Sequence, residues 1–305
     1  MINVLIHIAL LLIVPPLLPG VINKTKALFA GRRGPPVLQL YYDLFKLARK
    51  GVVISQVTTW VFVAAPVISI SALALAGLMV PAGPFRAPVS FAGDLILFAY
   101  LLGLCRFFTT TAALDTGSAF EGMGAAREVT FACLSEPALF LALLALAKMS
   151  GSLVLTDMLH APMLVGGASS AASLVLVAAG LFILLLAENC RIPVDDPNTH
   201  LELTMIHEVM VLDHSGPLLG LILYGASIKL YVLGALLLHI VCPFQAGIAP
   251  LDWLLFAGEM LCLAIGVGVV ESVMARLQMR NVPHLLIAAI LLCGFGFVLL
   301  LRGSL

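Results

Sequence analysis

Charged side chains interrupt several of the long apolar stretches of this 305-residue sequence. The residues concerned are Arg106, Glu136, Lys229, Glu259 and Glu271. An acid at the centre of a membrane helix costs about 2.5–3.5 kcal/mol on insertion scales, so such a group pairs with another charge or faces water. Acids and a lysine that exchange charge in this way could form a proton relay. The alternative is a set of ion pairs that only fix helix packing.

A second group of ionisable residues lies within residues 187–217, which read AENCRIPVDDPNTHLELTMIHEVMVLDHSGP. Three histidines, His200, His207 and His214, recur there at helical spacing. A metal site would need an HExxH motif or a similarly tight ligand set, and the pair His207-Glu208 lacks the second histidine. Proton handling or hydrogen bonding at an interface is the favoured chemistry, because histidine titrates near neutral pH.

Residues 31–51, GRRGPPVLQLYYDLFKLARKG, form another polar segment with an apolar stripe. The stripe after Pro36 has helical spacing and consists of Val37, Leu40, Tyr41, Leu44 and Leu47. This pattern predicts an amphipathic helix in the membrane interface. A surface helix without a specific role is the alternative.

Residues 114–131, LDTGSAFEGMGAAREVTF, place acids beside glycines. Gly117, Gly122 and Gly124 would allow tight turns and a close approach of the backbone. The sequence predicts a polar loop here, directly before the apolar stretch that contains Glu136.

Composition identifies the solvent of these elements as lipid. The chain is 62% hydrophobic and 10% charged, with a mean hydropathy of +1.13, whereas soluble domains are about 25% charged. No soluble fold could bury so much apolar surface. The net charge of zero gives a nucleic-acid partner no electrostatic support. The six cysteines are scattered without a CxxC pair, so no metal or disulfide framework is expected.

Eight apolar stretches are long enough to cross a membrane, since a spanning helix needs about 20 residues. They cover residues 2–22, 57–80, 92–112, 129–149, 170–188, 218–241, 251–275 and 283–301. Pro15, Pro16 and Pro19 predict a kinked or short second half of the first span. We therefore predict an all-α integral membrane protein, a single polytopic domain over residues 1–305, with about eight transmembrane helices and a cytoplasmic amphipathic helix after the first.

Basic residues predict the orientation of these spans. The first loop is the most basic, with Lys24, Lys26, Arg32, Arg33, Lys46, Arg49 and Lys50. The third, fifth and seventh loops also carry arginine, whereas the even-numbered loops carry little positive charge. Odd loops are therefore expected in the cytoplasm and both termini on the extracytoplasmic side. Loops one, three and five would then form one cytoplasmic surface, here called the polar platform, large enough to dock another protein.

The fifth loop resembles the loop between the fifth and sixth helices in the subunit 1 family of respiratory complex I, the NADH–quinone oxidoreductase membrane subunit that touches the peripheral arm. The matching residues are Ala187, Glu188, Arg191, Pro193, Asp195, Pro197, Glu202, Leu203, Ser215 and Gly216. His200 stands where the family usually has glutamate, and Asp213-His214 replaces a Glu-Tyr pair.

Two other segments extend this resemblance over nearly the whole chain. In loop one the matching residues are Arg33-Gly34-Pro35, Leu38-Gln39, Asp43 and Lys46-Leu47. Residues 114–118 and 124–128, with Lys229 and with Glu271 ahead of Ala275-Arg276, are similar to the hydrogenase branch of the family, in complexes of the formate hydrogenlyase and hydrogenase-4 type.

The resemblance implies a membrane-anchor and ion-coupling subunit of a membrane-bound [NiFe]-hydrogenase in a bacterial or archaeal cell (inner) membrane. Expected partners are hydrogenase large and small subunits, an iron–sulfur protein and antiporter-like membrane subunits. Nickel–iron and iron–sulfur centres would belong to those partners, because no residue of this chain is expected to hold a redox centre. The redox step would drive proton or sodium translocation.

Two sets of residues follow from the polar segments and the resemblance. The expected ion-coupling residues are Asp115, Glu128, Glu136, Glu188, Lys229, Glu259 and Glu271. The expected partner-docking residues are Arg32, Arg33, Gly34, Pro35, Asp43, Arg127, Arg191, Asp195, Glu202, His207 and Asp213. One alternative is a quinone-binding subunit of a complex I-like enzyme. The other is a stand-alone secondary transporter, although the inverted repeats frequent in that class are not seen in the sequence.

Overall fold

A computed structural model describes residues 2–160, 168–195, 206–242 and 246–302. Within these ranges the chain forms α-helices and two short 3-10 turns, at Val209–Val211 and Met279–Asn281. The α-helices are α1 (Ile2–Ile13), α2 (Leu17–Phe29), α3 (Gln39–Ala48), α4 (Trp60–Met79), α5 (Asp94–Asp115), α6 (Ala119–Ser150), α7 (Leu155–His160), α8 (Ala168–Glu188), α9 (Gly216–Val241), α10 (Ala249–Val273) and α11 (Val282–Arg302).

The prediction of an all-α membrane protein with about eight spans is confirmed. In the described part of the chain, seven helices are long and apolar enough to cross a membrane. The pair α1 and α2 is bent by 47° and makes an eighth when it is counted as one broken span. The kink predicted in the first span is therefore present, but helix continues to Phe29 instead of ending near residue 22.

Two tyrosines hydrogen-bond the backbone where α1 is broken. Pro16 has no N–H to donate to the Leu12 carbonyl, as a continuous helix would require. The Tyr224 hydroxyl donates to that carbonyl at 2.9 Å, and the Tyr41 hydroxyl donates to the neighbouring carbonyl of Ile13. These bonds matter in a membrane, because lipid cannot satisfy a free carbonyl.

The amphipathic helix predicted after the first span is α3. It packs against α9 and α2, and none of its residues is fully buried. Leu44 and Leu47, from the predicted apolar stripe, lie over Gly220 of α9. The opposite side of α3 is exposed, and Arg49 lies 4.2 Å from the centre of the Phe45 ring.

The prediction of a polar loop over residues 114–131 is wrong. The chain is helical up to Asp115 and again from Ala119, so the connection is three residues long. Its glycines serve close packing as well as turns: a Cβ on Gly124 would lie 3.0 Å from the Ile206 carbonyl oxygen in loop five. At 32 residues, α6 is about 48 Å long, longer than the hydrocarbon core of about 30 Å.

Small residues and one central helix organise the bundle. α9 is buried almost continuously from Ser227 to Ile240 and packs against α3, α4, α8 and α10. α8 and α11 cross closely, because a Cβ on Gly180 would lie 2.4 Å from the sulfur of Cys293. Such small-residue contacts are the usual way for membrane helices to approach each other.

Loop five is described over residues 189–195 and 206–215. Within 206–215 the backbone forms the 3-10 turn and adjacent turns, so the helical spacing of the histidines does not correspond to an α-helix there. Asp195 connects the two described parts, because its carboxylate accepts a hydrogen bond from the Ile206 amide at 2.8 Å. His200 and Glu202 lie outside the described residues.

Candidate functional site

Arg106 of α5 is the centre of an ion-pair network inside the helix bundle. Its Nη2 donates to Glu188 Oε1 at 2.5 Å, and its Nε lies 3.4 Å from Glu128 Oε1. Its Nη1 contacts Glu136. One guanidinium can bind several carboxylates because its five N–H donors form a planar fork.

Lys229 of α9 continues the network. Its Nζ lies 2.6 Å from Glu188 Oε2, while Glu188 Oε1 accepts a hydrogen bond from the Ser135 hydroxyl at 2.6 Å. Glu188 is thus bound by a guanidinium, an ammonium and a hydroxyl. The Arg106 cluster, as we call it, consists of Arg106, Glu128, Glu136, Glu188 and Lys229.

Four helices, α5, α6, α8 and α9, bring the Arg106 cluster together, and each contributes from a different part of its length. Glu188 is the last residue of α8, so α8 ends inside the bundle and loop five begins at the cluster. Arg106 and Lys229 lie well within α5 and α9. The cluster contains three acids and two bases, so one negative charge is left uncompensated when all five are ionised. An added proton could be shared among its carboxylates.

Three cavities meet at Glu188, with volumes of about 70, 20 and 100 Å³. The first also contains Lys229 and His207, and the third contains Glu136. One water molecule needs about 10–15 Å³ of cavity volume and two to four polar partners, and each of these cavities is large enough. The cluster therefore has room for waters between its charges.

Exposure within the cluster is uneven. The side chains of Glu188 and Arg106 are 10% and 11% exposed, whereas that of Glu136 is 50% exposed. Tyr100 and Phe140 line the cavity beside Glu136 and are themselves exposed. The cluster is therefore closed on most sides and opens at Glu136, between α5 and α6.

A second ion-pair group, the Glu271 cluster, consists of Glu271, Lys26 and Arg191. Glu271 of α10 is paired with Lys26 of α2 at 2.8 Å and with Arg191 at 3.6 Å, and its side chain is 0% exposed. Arg276 is paired with Asp195 at 2.6 Å. Loop five thus begins at the Arg106 cluster, contributes Arg191 to the Glu271 cluster and contributes Asp195 to the pair with Arg276.

Asp115 and Asp213 lie elsewhere on the same polar side of the bundle. Asp115 accepts a hydrogen bond from the Thr59 amide at 2.7 Å, next to the first turn of α4. The Asp213 amide donates to buried Glu121 at 2.9 Å. The described contacts of these residues tie loops to helix ends and do not join them to the Arg106 cluster.

The loop-one residues form an open basic groove. Lys24, Arg32, Arg33 and Gly34 line a cavity of about 670 Å³, and Lys24 Nζ donates to the Arg33 carbonyl at 2.7 Å. Gly34 has a φ of +62°, and a Cβ there would lie 2.4 Å from Ala27. The glycine is therefore required by both its conformation and its packing.

The remaining docking candidates have mainly local contacts. Pro35 is exposed beside the basic groove. Asp43 accepts a hydrogen bond from the Gln39 side chain at 3.0 Å. Arg127 contacts the sulfur of Met123, one turn earlier on α6. These residues lie along the same polar surface as loop five.

The two described histidines of loop five have different surroundings, and His207 is half-buried whereas His214 is buried. His207 lines the cavity shared with Glu188 and Lys229, and burial lowers its pKa. His214 stacks on Phe62 with ring centres 4.0 Å apart, and burial lowers its pKa as well. Both imidazoles are therefore neutral at neutral pH.

Glu259, like Asp115, is an expected ion-coupling residue that the structure does not bring to either cluster. It lies in the middle of α10, and its Oε1 is buried without a hydrogen-bond partner among the described residues. Two residues of the site, Arg106 and Ser135, were absent from the predicted ion-coupling and docking sets. Arg106 was one of the charges noted within the spans, but its role as the shared partner of three acids depends on the packing of four helices.

The fold and site define a class: a polytopic helical membrane protein with ion-pair clusters that begin at one polar face. The sequence profile of the NADH dehydrogenase family matches residues 2–302. The chain belongs to this family and resembles its complex I subunit 1 branch. The family resemblance predicted from loops one, three and five is confirmed.

The chain is similar to two proteins whose names place them in formate hydrogenlyase and hydrogenase-4 complexes. The chain is 30% identical to formate hydrogenlyase subunit 4 of Escherichia coli (strain K12), over 99% of this chain and 97% of that protein. It is 31% identical to hydrogenase-4 component C of the same organism, over 96% and 94%. A chain in the structure of the membrane-bound sulfane sulfur reductase, an archaeal respiratory membrane complex, has a TM-score of 0.83 at 20% identity and 98% coverage of both chains. That likeness concerns the fold.

Proposed function

We propose that this chain is the membrane-anchor and ion-coupling subunit of a membrane-bound [NiFe]-hydrogenase of the formate hydrogenlyase or hydrogenase-4 type. The observation that carries the proposal is the Arg106 cluster, which joins the start of loop five to the middle of the helix bundle through Glu188. The names of the two Escherichia coli relatives support the hydrogenase assignment. The expected partners are the hydrogenase large and small subunits, an iron–sulfur protein and antiporter-like membrane subunits.

Docking is the first part of the proposed role. The exposed Arg32 and Arg33 of the basic groove, together with loop five, offer charged groups to a soluble partner on the cytoplasmic face. A hydrogen-bonded charge at a partly desolvated interface costs about 2–5 kcal/mol when its partner is removed. Arg127, Asp43 and Asp213 would contribute to the same surface, as would Glu202, which lies outside the described residues. Asp195 is buried, so it would act on this surface by holding loop five in place.

Coupling is the second part. Redox chemistry in the docked partner would change charge or hydrogen bonding at loop five. Loop five begins directly after Glu188, the last residue of α8. A proton placed on Glu188 weakens its hold on Arg106 and Lys229, because opposite charges within about 4–6 Å keep each other ionised. Arg106 would then bind Glu128 and Glu136 more strongly, so the change reaches the half-exposed Glu136. The coupling ion is a proton in this scheme, with sodium as the alternative.

The quinone-binding alternative receives less support from the cavities. Small-molecule sites occupy about 300–1,000 Å³, whereas the cavities at Glu188 have volumes of about 100 Å³ or less in the described part of the chain. The stand-alone transporter receives less support from the family relationship, because both relatives are named as components of hydrogen-metabolising enzymes.

Purification tests the assignment directly. The chain, tagged at one terminus and extracted in mild detergent from its own organism, should bring an iron–sulfur protein and hydrogen-evolving activity with a reduced artificial donor. Arg33→Ala should lower the hydrogenase recovered, whereas Arg86→Ala, an exposed arginine predicted on the opposite face, should not. A chain that purifies alone would support the transporter instead. Activity that requires a quinone and evolves no hydrogen would support the quinone-reducing enzyme.

A further inference from the structure

Glu259 is a carboxylate at membrane depth without a described counter-charge. It lies about 15 Å along α10 from Ala249, at 1.5 Å per residue, and is half-buried. Its Oε1 is inaccessible to water and has no hydrogen-bond partner in the described chain. A carboxylate in this position is costly in lipid and is expected to face a polar partner.

A row of small residues runs beside Glu259 on the outer side of α10. Gly258, Cys262 and Gly266 follow one another at intervals of four, so they lie on one face of the helix. A Cβ built on Gly258 or Gly266 would meet no atom within 4 Å, and Cys262 is exposed. Rows of this kind allow a second membrane helix to approach closely.

The other sides of α10 are already occupied within this chain. Gly268 lies against Thr25 of α2. Met260 and Leu263 lie against Gly234 of α9. The row of small residues faces away from these contacts, so the open face and the uncompensated carboxylate lie next to each other.

We propose that the α10 strip, consisting of Gly258, Glu259, Cys262 and Gly266, docks a transmembrane helix of a neighbouring membrane subunit that places a lysine or arginine against Glu259. The charge of Glu259 selects the occupant, because lipid chains offer no donor. A symmetric pair with a second copy of this chain would set one Glu259 against another and repel. The inference rests on the proposed function only in requiring a multi-subunit membrane complex, and it assigns Glu259 a docking role instead of a relay role.

Photo-crosslinking in the intact membrane complex tests the strip. A photoreactive residue at Cys262 should form a crosslink to another membrane subunit. The same residue at Leu261 is the control, because it projects about 100° further around the helix. Mass spectrometry of the product at Cys262 should identify a partner helix with a basic residue within a few positions of the crosslink.

Two variants test the charge and the row separately. Glu259→Gln keeps the shape but removes the charge, and Gly266→Leu fills the row. Each should lower the recovery of the membrane partner by roughly three- to twentyfold, the range that corresponds to single polar contacts between membrane helices. The soluble hydrogenase should still copurify with both variants, which shows that the chain has folded.

Crosslinks of equal yield at Leu261 and Cys262, crosslinks only to lipid, or crosslinks only to another copy of this chain would overturn the inference. So would unchanged recovery of the membrane partner in both variants. The proposed function would stand in each of these cases if an iron–sulfur protein still copurifies. Loss of the iron–sulfur protein from the wild-type complex would instead contradict the proposed function.

Discussion

At the scale of single residues, Arg106 serves three carboxylates at once. Three ionised acids around one guanidinium leave a net charge of −2, which Lys229 reduces to −1. Removing the guanidinium would leave carboxylates facing one another in a site with low exposure. Removal of one partner from a buried ion pair costs more than the pair contributes, because the remaining charge is left without compensation.

Arg106→Ala is therefore expected to destabilise the chain by about 3–5 kcal/mol. The control is Arg86→Ala, which breaks the exposed ion pair with Asp157 and should cost less than about 1 kcal/mol. Unfolding of both variants in mixed micelles with increasing denaturing detergent gives the comparison. Equal stability of the two variants would mean that the Arg106 cluster does not hold the bundle together.

His214 makes the stability of the folded chain depend on pH. Burial against Phe62 lowers its pKa in the folded chain, so the unfolded chain binds the proton first as the pH falls. The stability that the neutral imidazole contributes is complete above the unfolded pKa of about 6.5 and is lost as the pH falls towards the folded value. His214→Phe keeps a ring on Phe62 and should lose less thermal stability than the wild type between pH 8 and pH 5. Parallel pH profiles of the melting temperature in the two proteins would refute this account.

At the scale of elements, the spans were predictable because lipid imposes length and apolarity on a helix directly. The break after α1 was predictable from three prolines, and α3 from the spacing of its apolar residues. The ends of α5 and α6 were not, because the glycines of residues 114–131 were interpreted as turn residues from local conformation alone. Gly124 lies within α6, where its missing side chain makes room for loop five, and that contact joins residues that are far apart in sequence.

Two glycines of α6 provide a matched test of this packing. Gly124→Leu should displace loop five from α6, because a Cβ alone would lie 3.0 Å from the Ile206 carbonyl oxygen and from Met210. Gly122→Leu should be tolerated, because a Cβ there meets no atom within 4 Å. Limited proteolysis of loop five in membranes should be faster in the first variant only. Equal cleavage rates would show that α6 and loop five do not pack as described.

The candidate site was less predictable than the elements for the same reason. Sequence reasoning placed four of the five residues of the Arg106 cluster in the ion-coupling set, and it noted Arg106 only as a charge within an apolar stretch. It did not separate Glu259 from them, because the direction in which a charge faces depends on which helices surround it. The partnership of Arg106 with acids from α6 and α8 likewise exists only in the packed bundle.

At the scale of the whole molecule, loops one, three and five share one side of the membrane when consecutive spans cross it in opposite directions. Basic residues in the first, third, fifth and seventh loops predict that this side faces the cytoplasm. An even number of spans then places both termini on the other side. The two ion-pair clusters reach this face through loop five.

Cysteine labelling tests the orientation. Phe120→Cys, at the exposed start of α6, should react with a membrane-impermeant maleimide only after the cells are broken open. Leu153→Cys, exposed at the other end of α6, should react in intact cells. The reverse pattern would invert the topology and place the polar platform outside the cytoplasm.

The central claim is that the Arg106 cluster transmits a redox event into ion movement, and ion transport in vesicles containing a Glu136→Gln complex measures it most directly. Glutamine keeps the shape and hydrogen bonding of Glu136 but removes its titrating charge. Asp157→Asn, an acid outside the cluster, serves as the control. Our account predicts that the Glu136→Gln complex assembles fully and evolves hydrogen from an artificial donor, yet transports far fewer ions per hydrogen molecule than the control. Full assembly with undiminished transport would contradict the account, and so would loss of assembly together with donor activity, which would make the cluster a structural support alone.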